Sequence, residues 1–183
     1  MESCRTEVTI AVPDFIRDYR DAERVQGYCA ECSSYGRVWG CPPFDFDFDE
    51  MIAGCNQARV FATKITFSED MLSKTYSVEE RKAVMAQAIH EAWEVELPRL
   101  YALEAATPGS VIFTGRCRLC RPKECTRVNG LPCRHPDKMR HSLESVGFDL
   151  ERTSRELLGI PLQWAIDGHL PAYITLITAI FMP

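Results

Sequence analysis

Seven of the nine cysteines in this 183-residue chain fall into two short stretches. The later stretch reads Cys117-Arg118-Leu119-Cys120, then Cys125 and Cys133, a C-x2-C-x4-C-x7-C spacing. A C-x2-C pair points two sulfurs at one centre across a tight turn, and the other two arrive from the returning loop. Four thiolates suit a 4Fe–4S cube, with one cysteine per iron, and they also suit a tetrahedral zinc. Zinc modules usually bring two C-x2-C knuckles, whereas the last two spacings here are four and seven. Pro132 and Pro136 bracket Cys133 and shape the turns there. The asymmetry favours a cluster, with zinc as the alternative.

The earlier stretch, Cys29 to Pro43, carries Cys29, Cys32 and Cys41-Pro42-Pro43, a C-x2-C-x8-C-P-P spacing with three cysteines. Three readings stand. Cys55 or Cys4 closes the set as a fourth ligand. Alternatively the fourth position is open, and an open iron can bind substrate. In the third reading the loop shares the second loop's metal or forms a zinc knuckle. A lone cysteine on a helix is more often a small buried hydrophobe than a ligand, so Cys4 and Cys55 are expected to be non-ligands.

The elements that must position these loops follow from periodicity and breakers. Val8–Val12 reads as a short strand and Asp14–Val25 as a helix after Pro13. Gly27–Phe48 reads as irregular, and Asp47 or Asp49 caps a helix running to about Ala58. Arg59–Phe67 alternates and reads as a strand. Ser77 and Glu80 form a capping box that opens the longest helix, to about Ala105, interrupted at Pro98. Gly109–Gly115 reads as a buried strand leading into the second cysteine loop. Pro136 opens a helix ending at Gly147, and another spans Glu151–Leu158. Pro161–Ile166 and Ala172–Met182 read as strands joined by a turn at Gly168. Interleaved helices and strands imply an α+β or α/β class, with a small sheet of three or four strands packed with helices. No linker divides the chain, so residues 1–183 are expected to form one cysteine-rich metal-binding domain.

Composition narrows the partners. Hydrophobic residues make up 46% and charged residues 26%, with a formal net charge of -5. Such a balance excludes a disordered chain and is poorly suited to a polyanion, so nucleic acid is not an expected partner. The most apolar stretch, Pro171–Pro183, is too short to span a bilayer, and the N-terminus lacks the apolar core of a signal peptide. No membrane association is expected. Clustered thiols without an export signal indicate a reducing, cytoplasmic location and metal or redox chemistry in preference to disulfides.

Cys29, Cys32, Tyr35-Gly36, Trp39 and Cys41-Pro42-Pro43 together resemble the start of a family known as predicted metal-binding proteins, the domain of unknown function numbered 2284. In the second half, Gly115, the four loop cysteines, Gly130, Pro132, Arg134, Pro136, Arg140, Ser142, Glu144, Gly147 and Asp149 match the same pattern. The resemblance runs from about Cys29 to the C-terminal strand. It implies metal binding through seven cysteines, Cys29, Cys32, Cys41, Cys117, Cys120, Cys125 and Cys133, and leaves Cys4 and Cys55 outside the set. The family is frequent in anaerobic bacteria and archaea, and it implies no particular reaction.

Residues flanking the loops have ordinary and functional readings. Arg140 and Glu144, spaced i,i+4 on the expected helix, would form a surface pair. Arg134 and Arg140 would otherwise neutralise a cluster or hold a small anion. His135 and His141 are expected to be solvated, and Tyr35 and Trp39 to cover the first loop. No Walker loop, dinucleotide-binding glycine motif, nucleophile elbow, H-E-x-x-H or C-x3-C-x2-C is present, so no catalytic residue is assigned. The expected function is an iron–sulfur protein with an electron-transfer or reductive role and a redox protein partner. The alternatives are a zinc-stabilised binding module and a reductive enzyme with an open-iron cluster.

Overall fold

Strand pairing begins close to the N-terminus of the computed structural model, which describes residues 2–183. β1 (Glu2–Ala11) runs antiparallel to β2 (Gln57–Thr66) along its full length, from Glu2 opposite Thr66 to Ala11 opposite Gln57. β4 (Tyr173–Met182) pairs with the other side of β2, and β3 (Val111–Phe113) pairs with the far side of β4. The result is one antiparallel sheet in the order β1-β2-β4-β3. Six α-helices accompany it among the described residues: α1 (Val12–Tyr19), α2 (Ala22–Glu31), α3 (Phe48–Met51), α4 (Glu69–Leu72), α5 (Val78–Ala106) and α6 (Leu150–Arg152). The fold is α+β.

β2 and β4 are covered on both faces; β4 therefore reads as a mostly apolar run, and β2 carries a shorter one at Val60–Ala62. On one face Val60, Ala62, Ile177 and Phe181 pack with Phe15 of α1, Phe48, Leu143 and Phe148. The Phe15 and Phe148 rings stack with centroids 4.5 Å apart. On the other face Phe61 and Ile180 meet Trp93 and Leu100 of α5, and Ile65 and Ile174 meet Ala88. β1 is the edge strand and carries the polar side chains that discourage further pairing. Arg5 ties it to α5 through a 2.5 Å bond to the almost fully buried Glu96. The expected capping box forms: Ser77 N–H donates to Glu80 Oε2 at 2.8 Å, and Glu80 N–H to Ser77 Oγ at 3.2 Å.

Several elements differ from the sequence expectation, each for a tertiary reason. β1 is twice the expected length because a polar edge strand needs no apolar alternation. The helix expected over Asp14–Val25 is two, broken where Arg20 bridges Phe148 and Asp21 N–H donates to Gly147 O. The helix expected from Asp47 to Ala58 stops after α3, and β2 starts at Gln57. Pro98 does not interrupt α5, which continues to Ala106. No helix forms between Pro136 and Gly147. There Thr114 N–H takes the His141 carbonyl at 2.8 Å and Thr114 bridges Ser142, so the backbone groups a helix would use are spent on β3's extension. Only a short 3-10 turn at Glu144–Val146 remains. The helix expected over Glu151–Leu158 is α6 followed by a π-helical turn at Thr153–Leu157. Pro161–Ile166 is not a strand, because β4 already has a neighbour on each side; Ile166 makes one isolated bridge to His169.

Candidate metal centre

The first cysteine set is built on the end of α2. The start of this helix is anchored by Asp21, whose N–H donates to Gly147 O at 2.9 Å. Gly147 has φ 99° and lies so close to Ala22 that an added Cβ would sit 2.7 Å from its Cα. Only glycine fits there. Cys29 lies on the last turn of α2, not in irregular chain as expected, and Cys32 is the residue that ends the helix. Beyond it the chain doubles back, with Gly36 N–H bonded to Pro42 O at 2.8 Å and Cys41 N–H to Val38 O at 2.9 Å. Cys41 thereby returns to α2. Its thiol is pushed up to about 12, first by burial, then by the Glu144 carboxyl, with Cys32 and Cys29 adding to the effect and Arg116 opposing it. Burial, Glu144 and Cys32 likewise raise Cys29.

The second set lies on the excursion between Thr114 and Ser142, whose base is closed by the bridge between those two residues. Gly115 opens it beneath the Trp93 ring, where an added Cβ would come within 2.8 Å of Cζ2. The returning chain is shaped by a 3-10 turn at Thr126–Asn129 that ends at Gly130 with φ 65°. Cys117 has its thiol raised by burial and by Cys133, Cys120 and Cys125, while the Leu119 N–H opposes the shift. The other three second-set thiols are thus each near enough to act on Cys117. His135 N–H donates to Cys133 Sγ at 3.4 Å. Backbone N–H groups aimed at sulfur favour the thiolate that a soft metal requires.

The two loops are docked against each other. Gly40, next to Cys41, sits where an added Cβ would be 3.1 Å from Cys117 Cβ and 3.0 Å from Arg140 O. Arg127 of the second loop donates to three carbonyls of the first: Val38 O at 2.9 Å, Pro43 O at 2.5 Å and Cys41 O. Its guanidinium also lies 5.2 Å from the Trp39 ring centroid. Trp39 Nε1–H donates to Leu131 O at 3.1 Å, so this indole joins the loops. Tyr35, expected to cover the first loop, is exposed. Among the described residues, no three Cys, His, Asp or Glu side chains close on a single point at metal-ligand distance. Loading either set requires its thiols to close in on one point and lose their protons.

The donor chemistry fits a thiophilic metal in both sets. Cys4 is exposed on β1 opposite Lys64, and Cys55 points its thiol at Gly109 O, 3.7 Å away. No other cysteine contributes to the shift of the Cys55 thiol, which burial alone raises. Sequence reasoning placed both outside the ligand set, and the structure places Cys55 apart from the other thiols.

Three flanking residues are not where the sequence suggested. Arg140 does not pair with Glu144. It forms a two-pronged pair with Glu104 of α5, Nε to Oε1 at 3.0 Å and NH2 to Oε2 at 2.6 Å. Without the expected helix, positions 140 and 144 do not share a face. Glu144 instead lies near enough to the first cysteine set to act on Cys29 and Cys41, and its Oε2 is closed off from solvent with no hydrogen-bond partner. His141 is not solvated. It packs between Phe44 and Phe46 with centroid distances of 4.6 and 4.8 Å. Burial drives its pKa down to about 4, helped by the charges of Arg140 and Arg127, while the Gly40 backbone opposes the shift. Arg134 donates to Glu124 O at 2.7 Å. Spacing gave no sign of the roles of Arg127, Glu104 and Gly40, which depend on residues more than thirty-five positions away.

A cleft of about 920 Å3 runs between α5 and the second loop. Trp93, Leu97 and Tyr101 line it, as do Arg116, Arg118 and Lys138, and it reaches Cys117. Arg118 has its Nε and NH1 buried without a partner, and desolvation together with Arg121 and Arg116 lowers its pKa.

The fold and site define an α+β protein with two juxtaposed cysteine loops suited to a metal. The chain belongs to the family described as predicted metal-binding protein (DUF2284), whose profile matches residues 16–181. No curated protein and no solved structure matches it. No helix among the described residues is long and apolar enough to cross a membrane.

Proposed function

We propose that the second cysteine set holds a 4Fe–4S cluster, that the first set holds a second and more labile metal centre, and that the protein transfers electrons or performs reductive chemistry in the cytoplasm. The observation that supports this reading is that Cys120, Cys125 and Cys133 all lie near enough to act on the Cys117 thiol, with backbone N–H groups directed at Cys117 and Cys133. Four thiolates and a 2+ cluster leave a net negative charge. Arg116 and Arg118 beside the loop offset it, which raises the reduction potential. A cluster held there supplies one-electron chemistry. The docking of Gly40 against Cys117 brings the two sets side by side, an arrangement suited to passing electrons between them and on to a redox protein partner.

A second reading, a reductive enzyme acting on a small anion, is favoured by the cleft. Its aromatic wall and its cations suit a flat anionic molecule, and the unpartnered Arg118 nitrogens suit a carboxylate or phosphate. A zinc-stabilised module remains the rival to both.

The test is anaerobic purification. The cluster reading expects brown protein with broad absorption near about 400 nm, iron and acid-labile sulfide. Colourless protein with stoichiometric zinc would overturn it.

A further inference from the structure

We infer that Glu144 is the fourth ligand of the first cysteine set, giving Cys29, Cys32 and Cys41 a carboxylate-oxygen partner. The inference rests on the proposal that this set binds metal, and it replaces an open fourth position with one filled by the protein.

Three observations carry it. The first is the shortage of thiols: Cys55 is turned to Gly109 O, Cys4 lies on the outer strand, and the other four cysteines form the second set. The second is location. The Glu144–Val146 turn packs against α2, with Cys29 Sγ 3.9 Å from Glu144 O. The Glu144 charge bears on both Cys29 and Cys41. The third is an unmet need. Glu144 Oε2 is buried without a partner, and no cation among the described residues forms an ion pair with this carboxyl. Arg140 is occupied by Glu104, and Arg20 Nε donates to Val146 O at 2.9 Å. Only its own backbone N–H and the Ser142 hydroxyl lie near enough to ease the charge. A buried carboxylate oxygen is costly unless a proton or a cation meets it. A metal drawn to the three thiols, which must close in to hold it, would supply that cation beside the Glu144–Val146 turn.

The chemistry is consistent with either metal. Zinc accepts carboxylate oxygen readily, and one iron of a cluster does so at a site where thiolate is missing. Oxygen is the harder and more exchangeable donor, so this position would be where an exogenous ligand displaces the protein. Arg116, which acts on Cys41 from the opposite sign, moderates the charge of three thiolates and a carboxylate.

The test uses the full chain, purified and reconstituted without oxygen, with metal and sulfide counted per chain and electron paramagnetic resonance recorded after mild oxidation. Cys32→Ser defines the share of metal bound by the first set, and Cys120→Ser the share bound by the second. Glu144→Gln keeps the shape and hydrogen bonding but is a far weaker ligand. It should lose most of the Cys32-dependent metal while retaining the Cys120-dependent share, which also shows that the chain is folded. Glu144→Cys should keep full metal content with a spectrum shifted toward all-thiolate ligation. Wild-type metal content and spectrum in Glu144→Gln, or an unshifted spectrum in a metal-loaded Glu144→Cys, would overturn the assignment. Unchanged metal in Cys32→Ser would instead show that the first set binds none, and the parent proposal would fail with it.

Discussion

Arg127 is the strongest single tie between the two cysteine loops, and its removal should free one from the other. Its guanidinium meets three carbonyls, those of Val38, Cys41 and Pro43, while lying against Trp39. A hydrogen bond from a charged donor contributes about 1.5–3 kcal/mol. The three here share one partly exposed group and are not additive, so Arg127→Gln should weaken loop docking by about 3 kcal/mol. That corresponds to a roughly 100-fold larger open fraction. The global sheet is untouched, so the effect should be local. Hydrogen exchange at the amides of Gly36 and Cys41, both bonded within the first loop, reads it directly. Exchange there should accelerate by about two orders of magnitude while β2 and β4 amides stay protected. Arg127→Lys should recover only part of the loss, because one ammonium cannot span three carbonyls. Exchange at Gly36 and Cys41 unchanged within threefold would refute the idea that Arg127 holds the loops together.

Three further outcomes are expected. Gly147→Ala should destabilise the protein by about 2–4 kcal/mol in a denaturant titration, because the added Cβ meets Ala22 backbone at a residue with φ 99°; a loss under 1 kcal/mol would argue that α2 is not seated on this turn. His141 titrates near 4 in the folded chain and about 6.5 unfolded, so the unfolded state binds more protons between those values. Stability should be full above about pH 7 and fall by roughly 3 kcal/mol as pH drops to 4; His141→Leu should flatten that part of the profile, and an unchanged slope would count against the buried ring. Raised thiols, Cys41 at about 12 among them, must release protons to bind metal, so apparent metal affinity should climb steadily between pH 6 and 9 in a competition titration with a chelator, and a flat profile would mean that the thiols are already ionised.

How far the sequence could be read depended on the range of the interactions involved. The two cysteine sets, the capping box at Ser77 and the apolar runs of β2 and β4 are local patterns, and each was legible because the residues that act together lie within a few positions of one another. The spacing of Cys117, Cys120, Cys125 and Cys133 is of this kind, since all four lie within 17 consecutive residues. β1 was underestimated because an edge strand buries little and shows no apolar period. Pro98 reads as a breaker in the sequence, yet α5 runs through it because packing of Trp93 and Leu100 on the sheet outweighs one missing hydrogen bond.

The residues 136–147 show where local reading ends. Pro136 and Gly147 suggest the two ends of a helix, and the i,i+4 pair of Arg140 and Glu144 follows from it. The folded chain spends the His141 carbonyl on Thr114 and the Arg140 guanidinium on Glu104, two partners no helix rule could name. Freed from that helix, the Glu144–Val146 turn packs against α2, with the Glu144 carbonyl 3.9 Å from Cys29 Sγ. By itself, then, the sequence narrowed the class to α+β or α/β and determined that the chain carries two thiol loops with metal-ligand spacing; the antiparallel strand pairing decided for α+β. The tertiary structure alone decided that the loops abut, that Arg127 clamps them, and that an unpaired carboxylate faces the loop with three cysteines. Those outcomes come from contacts between segments roughly a hundred residues apart, whose energies exceed the local preferences of the short stretches they override.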